Sequence, residues 1–227
     1  RMRKNNIKLA KLYKNQTIKP DLKSNYIYFA APYQPEAQTA INAGVYETII
    51  LALDILANSI PENWVIYYKE HPSTVSELYK GSLKRNKIFY DRLSAFKNIA
   101  LVSTELESFE LVKYAKAVST VGGSVGWEAV VKGVPALVFG SAWYLGCKSV
   151  FHIKTVAQAN EAIKKICDGY VPDGNDVDRY AYAVGLIATE GVLYDLFHKK
   201  ISKAENPKNE MVKLGEMIYQ AYERTYI

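Results

Sequence analysis

AVSTVGGSVGWEAVVKGVPALVFG, residues Ala117–Gly140, decides the fold. An apolar run, AVSTV, meets two glycines and a serine, then a helical pattern over Val125–Lys132, then Gly133, Pro135 and a second apolar run, ALVFG. Strand, turn, helix, turn and strand in so short a space is the unit of a parallel sheet, whose neighbouring strands need a crossover between them.

Upstream, NYIYFAA (Asn25–Ala31), WVIYYK (Trp64–Lys69) and IALVS (Ile99–Ser103) have the same character. They are rich in aromatic and β-branched residues and largely apolar, as strands covered on both faces are. Helical patterns separate them: Asn42–Ser59, with Val45, Ile49, Leu53 and Leu56 on one face, then Arg85–Phe96 and Phe109–Ala115. Further helices are predicted at Val156–Cys167, Asp176–Glu190 and Pro207–Tyr226, with a polar gap at Ser202–Asn209. The alternation predicts an α/β fold, a doubly wound, Rossmann-like parallel sheet with extra C-terminal helices. The expected division is a basic connecting segment or helix at 1–22, the Rossmann-like domain at 23–200, and a polar gap and helix at 201–227.

Composition sets the bounds. The chain has 227 residues, 49% of them hydrophobic and 23% charged, which is ordinary for a globular protein with a substantial core. The net charge of +6 is local: seven of the 29 basic residues, Arg1 to Lys19, precede the first acid, Asp21, and beyond them 22 bases face 23 acids. Ile7, Leu9, Leu12 and Tyr13 give that segment an apolar face at helical spacing. It reads as a linker, or as a basic amphipathic helix resting on anionic lipid or a polyanionic acceptor. No basic stripe interleaved with aromatics runs through the rest, so nucleic acid is not an expected partner. Ile49–Ile60, the longest apolar stretch, is broken by Asp54 and Asn58 and is too short to span a bilayer. Cys147 and Cys167 form no disulfide framework, so a reducing cytoplasm is expected, at the inner face of the membrane if the basic segment binds there. His152 and His198 lack partnered spacing, and neither a metal nor a cofactor is expected.

In such a sheet a ligand sits beyond the carboxyl ends of the strands, so the loops there carry the chemistry. They are PYQPEA (Pro32–Ala37), KEHPS (Lys69–Ser73), TELES (Thr104–Ser108) and GGSVGWEA (Gly122–Ala129). Gly122 and Gly123 let backbone N–H groups approach an anion, and Ser124 adds a hydroxyl to phosphate oxygens, with Glu128 one turn on, within reach of a ribose. The same residues also suit a plain tight turn with Ser124 as N-cap and Glu128 complementing the helix dipole. In KEHPS, His71 follows a strand end and precedes Pro72, which fixes the chain direction, and Lys69 adds positive charge beside it. SAWYLGC (Ser141–Cys147) fits an acceptor-facing patch, a partner-facing patch or core packing equally well.

PYQPEA, KEHPS, SFEL, VGGSVGWEAVVKGVPALVFGSAWY and the following GC together resemble the capsule polysaccharide biosynthesis glycosyltransferases, a group that includes bacterial Kdo transferases. The resemblance runs from about Tyr28 to Phe151. The HP pair and the serine motif are also similar to those of bacterial sialyltransferases. The resemblance implies one half of a GT-B fold, the half that binds a CMP-activated acidic sugar for transfer to a capsular or surface polysaccharide or glycolipid. Carried over by motif, His71 and Ser124 hold the CMP phosphate, and Lys69 lies near the base or phosphate. Glu107 fits the ribose best, with Glu105 and Glu128 competing, and Gln34 and Glu36 face the sugar or acceptor. The resemblance also implies that the catalytic base belongs to a second, N-terminal domain, with Glu36 the alternative within this chain, and that this domain alone does not turn over. Rival readings are a UDP-sugar epimerase or CDP-polyol phosphotransferase on the same fold, or a scaffold module of a capsule assembly complex.

Overall fold

In the structure, a computed structural model, residues 2–188 together with Glu216 and Gln220 are described. The predicted gap at Ser202–Asn209, the helix at Pro207–Tyr226 and His198 therefore lie outside the described residues, Glu216 and Gln220 excepted. The chain up to Asp178 forms one compact unit, and from Arg179 onward a second.

The elements follow one another as α1 (Met2–Gln16), β1 (Tyr26–Ala30), α2 (Ala37–Asn42), α3 (Ile49–Ser59), β2 (Val65–Lys69), α4 (Lys87–Ser94) and β3 (Ile99–Leu101). Then come α5 (Ser108–Tyr114), β4 (Ala117–Thr120), α6 (Val125–Val131), β5 (Ala136–Val138), β6 (Val150–His152), α7 (Val156–Cys167) and α8 (Gly174–Ile187). Among the described residues the six strands are all parallel, in the order β3-β2-β1-β4-β5-β6. Strand order reverses between β1 and β4, the switch point at which a doubly wound sheet opens a crevice for a ligand. Register sharpens this, because Ala30 pairs with Lys69 on one side and with Thr120 on the other. The loops after β1, β2 and β4 therefore leave the sheet at one level.

Side-chain alternation along each strand builds two cores. Ile27, Phe29 and Tyr68 face one side with Leu53 and Leu56 of α3, Leu93 of α4 and Ile163 of α7. Tyr26, Tyr28 and Tyr67 face the other with Leu111 and Val112 of α5 and Ala129 of α6. The buried Tyr26 hydroxyl donates to the Leu111 carbonyl at 2.8 Å, which satisfies its polar end.

Three local features depart from the sequence reading. The helix predicted over Asn42–Ser59 is interrupted by a 3-10 turn at Gly44–Glu47, with Gly44 at φ 54° and Thr48 outside the helical region at ψ 82°. β6, only VFH, was too short to show a period. Most of the apolar face of α1 is already used: Leu9 and Tyr13 are buried in the core and Leu12 packs against it, while Ile7 stays exposed. Lys4, Lys8 and Lys11 are left facing outward. Among the described residues no helix is long and apolar enough to cross a membrane.

The switch point demands close backbone approach at Gly140, just beyond β5. A Cβ there would lie 2.1 Å from the Val121 carbonyl oxygen and 2.7 Å from that of Asn42. All these neighbours are backbone, so the loops after β4 and β5 must part. Gly140→Ala is expected to destabilise by about 1–3 kcal/mol, the usual cost of overpacking, and so to lower the melting temperature by several degrees. Gly174→Ala, where an added Cβ meets nothing within 4 Å, is the control. Equal melting temperatures for the two variants would contradict the close approach.

Candidate functional site

A cavity of about 250 Å3 opens at the switch point. Its floor and walls include Tyr28, Lys69, His71, Ser108, Ser124 and Glu128. The loops after β2 and β4 thus meet across it, as the sequence motifs required.

His71 caps a 3-10 turn over Pro72–Val75, and its Nδ1 accepts the Ser73 backbone N–H at 3.1 Å. That bond occupies the Nδ1 lone pair, so the neutral ring carries its proton on Nε2, the nitrogen left free for a ligand. Partial desolvation at the cavity edge pushes the imidazole below its ordinary pKa; Glu36 and Glu70 pull it back up, and Lys69 pushes it down. At neutral pH His71 is therefore an uncharged donor.

Lys69 turns to the opposite face of β2 from its neighbour Glu70. Its ammonium reaches the Leu106 carbonyl and, at 2.9 Å, Ser108 Oγ. Burial lowers its pKa, and Glu107 opposes the shift.

The glycine turn differs from expectation. The N–H groups of Gly122 and Gly123 both go to Thr120 Oγ1, at 3.4 and 3.0 Å, so they are not free for an anion. The amides of Ser124 and Val125 find no acceptor among the described residues. Gly122 sits at φ 151°, and a Cβ on it would come 2.8 Å from the Ser141 carbonyl oxygen. Behind the turn, the buried Tyr144 hydroxyl donates to the Gly123 carbonyl and holds it in place. Ser124 does not cap α6: its hydroxyl donates to Glu128 Oε1 at 2.9 Å, one turn on.

The remaining acids part company. Glu128 lines the cavity, whereas Glu107 stands exposed before α5 and is not part of the lining. Glu105 is exposed as well, 3.9 Å from Lys14. Glu36 borders a smaller adjoining cleft of about 60 Å3 that shares Pro32 and Gly123 with the main cavity. Gln34, expected to face the sugar or acceptor, has its amide turned inward. The oxygen accepts from Arg85 at 2.7 Å, the nitrogen donates to the Glu47 carbonyl at 2.9 Å, and the residue is 2% exposed. Loop proximity alone could not reveal that a buried guanidinium waits beneath it.

That guanidinium is the centre of a network invisible in sequence. Glu70 Oε1 accepts from Arg85 Nε at 2.7 Å, Tyr68 at 2.7 Å and Tyr90 at 3.1 Å. The Glu70 amide bonds Tyr13 of α1 at 3.0 Å. The cluster ties the loops after β1 and β2 to α1 and α4, beneath the cavity. Tyr28, Ser108, Thr120 and Tyr144 are further site residues that the motifs did not single out. Ser108 lies inside TELES and SFEL and Tyr144 inside SAWYLGC, whereas Tyr28 and Thr120 belong to the strands. Among the described residues no group of three or more His, Cys, Asp or Glu could hold a metal ion.

Residues 2–172 match the family described as capsule polysaccharide biosynthesis protein. The chain belongs to that family. Among solved structures, this capsule polysaccharide biosynthesis protein is similar to Methanocaldococcus jannaschii UDP-GlcNAc 2-epimerase in complex with UDP-GlcNAc and UDP. That likeness has a TM-score of 0.48 and 16% identity, covering 81% of this chain and 52% of the other. It is also similar to Thermosulfurimonas dismutans KpsC, a beta Kdo 2,4 transferase, at a TM-score of 0.44 and 15% identity, covering 79% and 62%. The chain thus spans between half and two thirds of these structures. A comparison with curated proteins finds no match.

Proposed function

We propose that this capsule polysaccharide biosynthesis protein is the donor-binding domain of a glycosyltransferase, half of a GT-B enzyme, that transfers an acidic, Kdo-like sugar from a CMP-sugar to a capsular or surface glycan. The observation that carries the reading is the convergence of His71, Lys69, Ser124 and Glu128 on one cavity at the switch point. The phosphate rests between His71 Nε2–H and the amides of Ser124 and Val125, groups that need no reorganisation to meet it. Lys69 supplies nearby positive charge while holding the opposite wall. Glu128, rather than Glu107, takes the ribose hydroxyls, and its bond to the Ser124 hydroxyl links sugar and phosphate recognition.

Transfer breaks the bond between the anomeric carbon and the phosphate oxygen, and the electron pair leaves on the phosphate. Donors fixed at that oxygen lower the barrier because charge grows there. The acceptor hydroxyl attacks the anomeric carbon and loses its proton to a base, which we assign to a second domain of the complete enzyme. The sugar extends toward the adjoining cleft, with Glu36 on its wall. Contact of α1 with anionic lipid or glycan is electrostatic, through Lys4, Lys8 and Lys11.

A thermal-shift panel tests the donor. CMP is expected to stabilise the chain, and Glu128→Gln to remove most of that gain. Stabilisation by UDP or a CDP-polyol instead of CMP would redirect the reading to an epimerase or polyol-phosphate enzyme. Response to no nucleotide would favour a scaffold.

A further inference from the structure

Ser108 stands at the cavity wall with both acceptor positions of its hydroxyl filled. Lys69 Nζ donates to Oγ at 2.9 Å, and the Tyr28 hydroxyl donates to it at 3.2 Å. A serine oxygen has two lone pairs and one proton. With both lone pairs occupied, the O–H must serve as a donor, and it has no acceptor among the described residues. The hydroxyl is thus fixed as a pure donor at the cavity.

The two donors are themselves constrained. Lys69 is buried at the end of β2 and also held by the Leu106 carbonyl, so its ammonium has a fixed place. Burial raises the Tyr28 hydroxyl to a pKa of about 12, and Glu128 reinforces the shift, so it stays protonated and keeps donating across the working pH range. The lining of the same cavity includes the Tyr28 side chain, Ala30 and Val125, apolar surface that suits a flat ring. The phosphate donors lie on the other loops, at His71 and Ser124.

We propose that Ser108, oriented by Lys69 and Tyr28, reads a carbonyl oxygen on the nucleotide's base. This assignment rests on the nucleotide reading above, and it adds a specificity residue and two positioning residues to it. A base offering an N–H or amine at that point would find no acceptor on Ser108. The wall therefore selects for a ring oxygen such as the carbonyl of a pyrimidine.

The test is a titration of the full chain with CMP and with ribose 5-phosphate, which lacks the base, for wild type and Ser108→Ala. Ser108→Ala is expected to weaken CMP about tenfold, the scale of one hydrogen bond, and to leave ribose 5-phosphate unchanged. Tyr28→Phe, which frees a lone pair on Ser108 without removing its proton, is expected to weaken CMP less than Ser108→Ala and likewise to spare ribose 5-phosphate. Equal losses for both ligands, or no loss for CMP, would overturn the role of Ser108 while leaving nucleotide binding intact. Failure of the wild-type chain to bind either ligand would overturn the nucleotide reading and this assignment with it.

Discussion

Arg85→Met is expected to lower folding stability by about 3–5 kcal/mol, because it strands a charge in the core. The Glu70 side chain is fully buried and that of Arg85 is 2% exposed, with 2.7 Å between them. Removing the guanidinium leaves the carboxylate with only the Tyr68 and Tyr90 hydroxyls. Gln34 would lose its partner at the same time, so its amide oxygen would also be orphaned. At about 2–4 °C per kcal/mol for a domain of this size, the melting temperature should fall by roughly 10 °C. Glu70→Gln combined with Arg85→Met should recover most of the loss. The wild-type pair is itself imperfect, since Glu70 Oε2 and Arg85 Nη2 find no hydrogen-bond partner among the described residues. Replacing both charges thus removes two desolvation penalties along with one attraction. A single Arg85→Met variant that melts within a degree of wild type would show that the pair is not what holds the two loops.

His71→Ala should slow transfer by the complete enzyme about 10²–10³-fold, the usual effect of deleting one donor fixed on developing charge. In this chain, CMP affinity should fall at least tenfold, since a hydrogen bond to a charged group is worth about 1.5–3 kcal/mol. His71 is exposed, and the one bond its side chain is seen to make is to the Ser73 amide, so the melting temperature should barely change. His71→Gln, which returns an N–H donor, should restore part of the binding. Unchanged CMP affinity in His71→Ala, measured by calorimetry, would remove the imidazole from the phosphate site. A large drop in melting temperature would instead assign it a structural role.

The strands were legible because both faces of the sheet are covered, which leaves apolar runs such as YIYFA and VIYYK with little polar interruption. Helices with one buried stripe, such as α7, showed in the spacing of Ala159, Ala162, Ile163 and Ile166. Where a local twist intervened, as at Gly44 and Thr48, the apolar period ran on through a real break, because periodicity reports burial and not backbone continuity. The basic N-terminal segment shows the same limit. Leu9, Leu12 and Tyr13 of its expected apolar face pack on the core while Ile7 stays exposed, and nothing local told whether protein or lipid would cover them.

The candidate site divides along the same line. Sequence alone determined that the loops after β1, β2 and β4 carry His71, Lys69, Ser124 and their neighbours, since strand ends and turn residues are set by local pattern. Tertiary structure decided which of those groups share a cavity. The reversal of strand order between β1 and β4, and a register that sets Ala30, Lys69 and Thr120 abreast, bring Glu128 to the wall and leave Glu107 outside. It also gave the Gly122 and Gly123 amides to Thr120, turned Gln34 toward Arg85, and filled the lone pairs of Ser108. Each of these depends on a partner distant in the chain or on a side-chain rotamer, and neither leaves a period or a motif in the sequence.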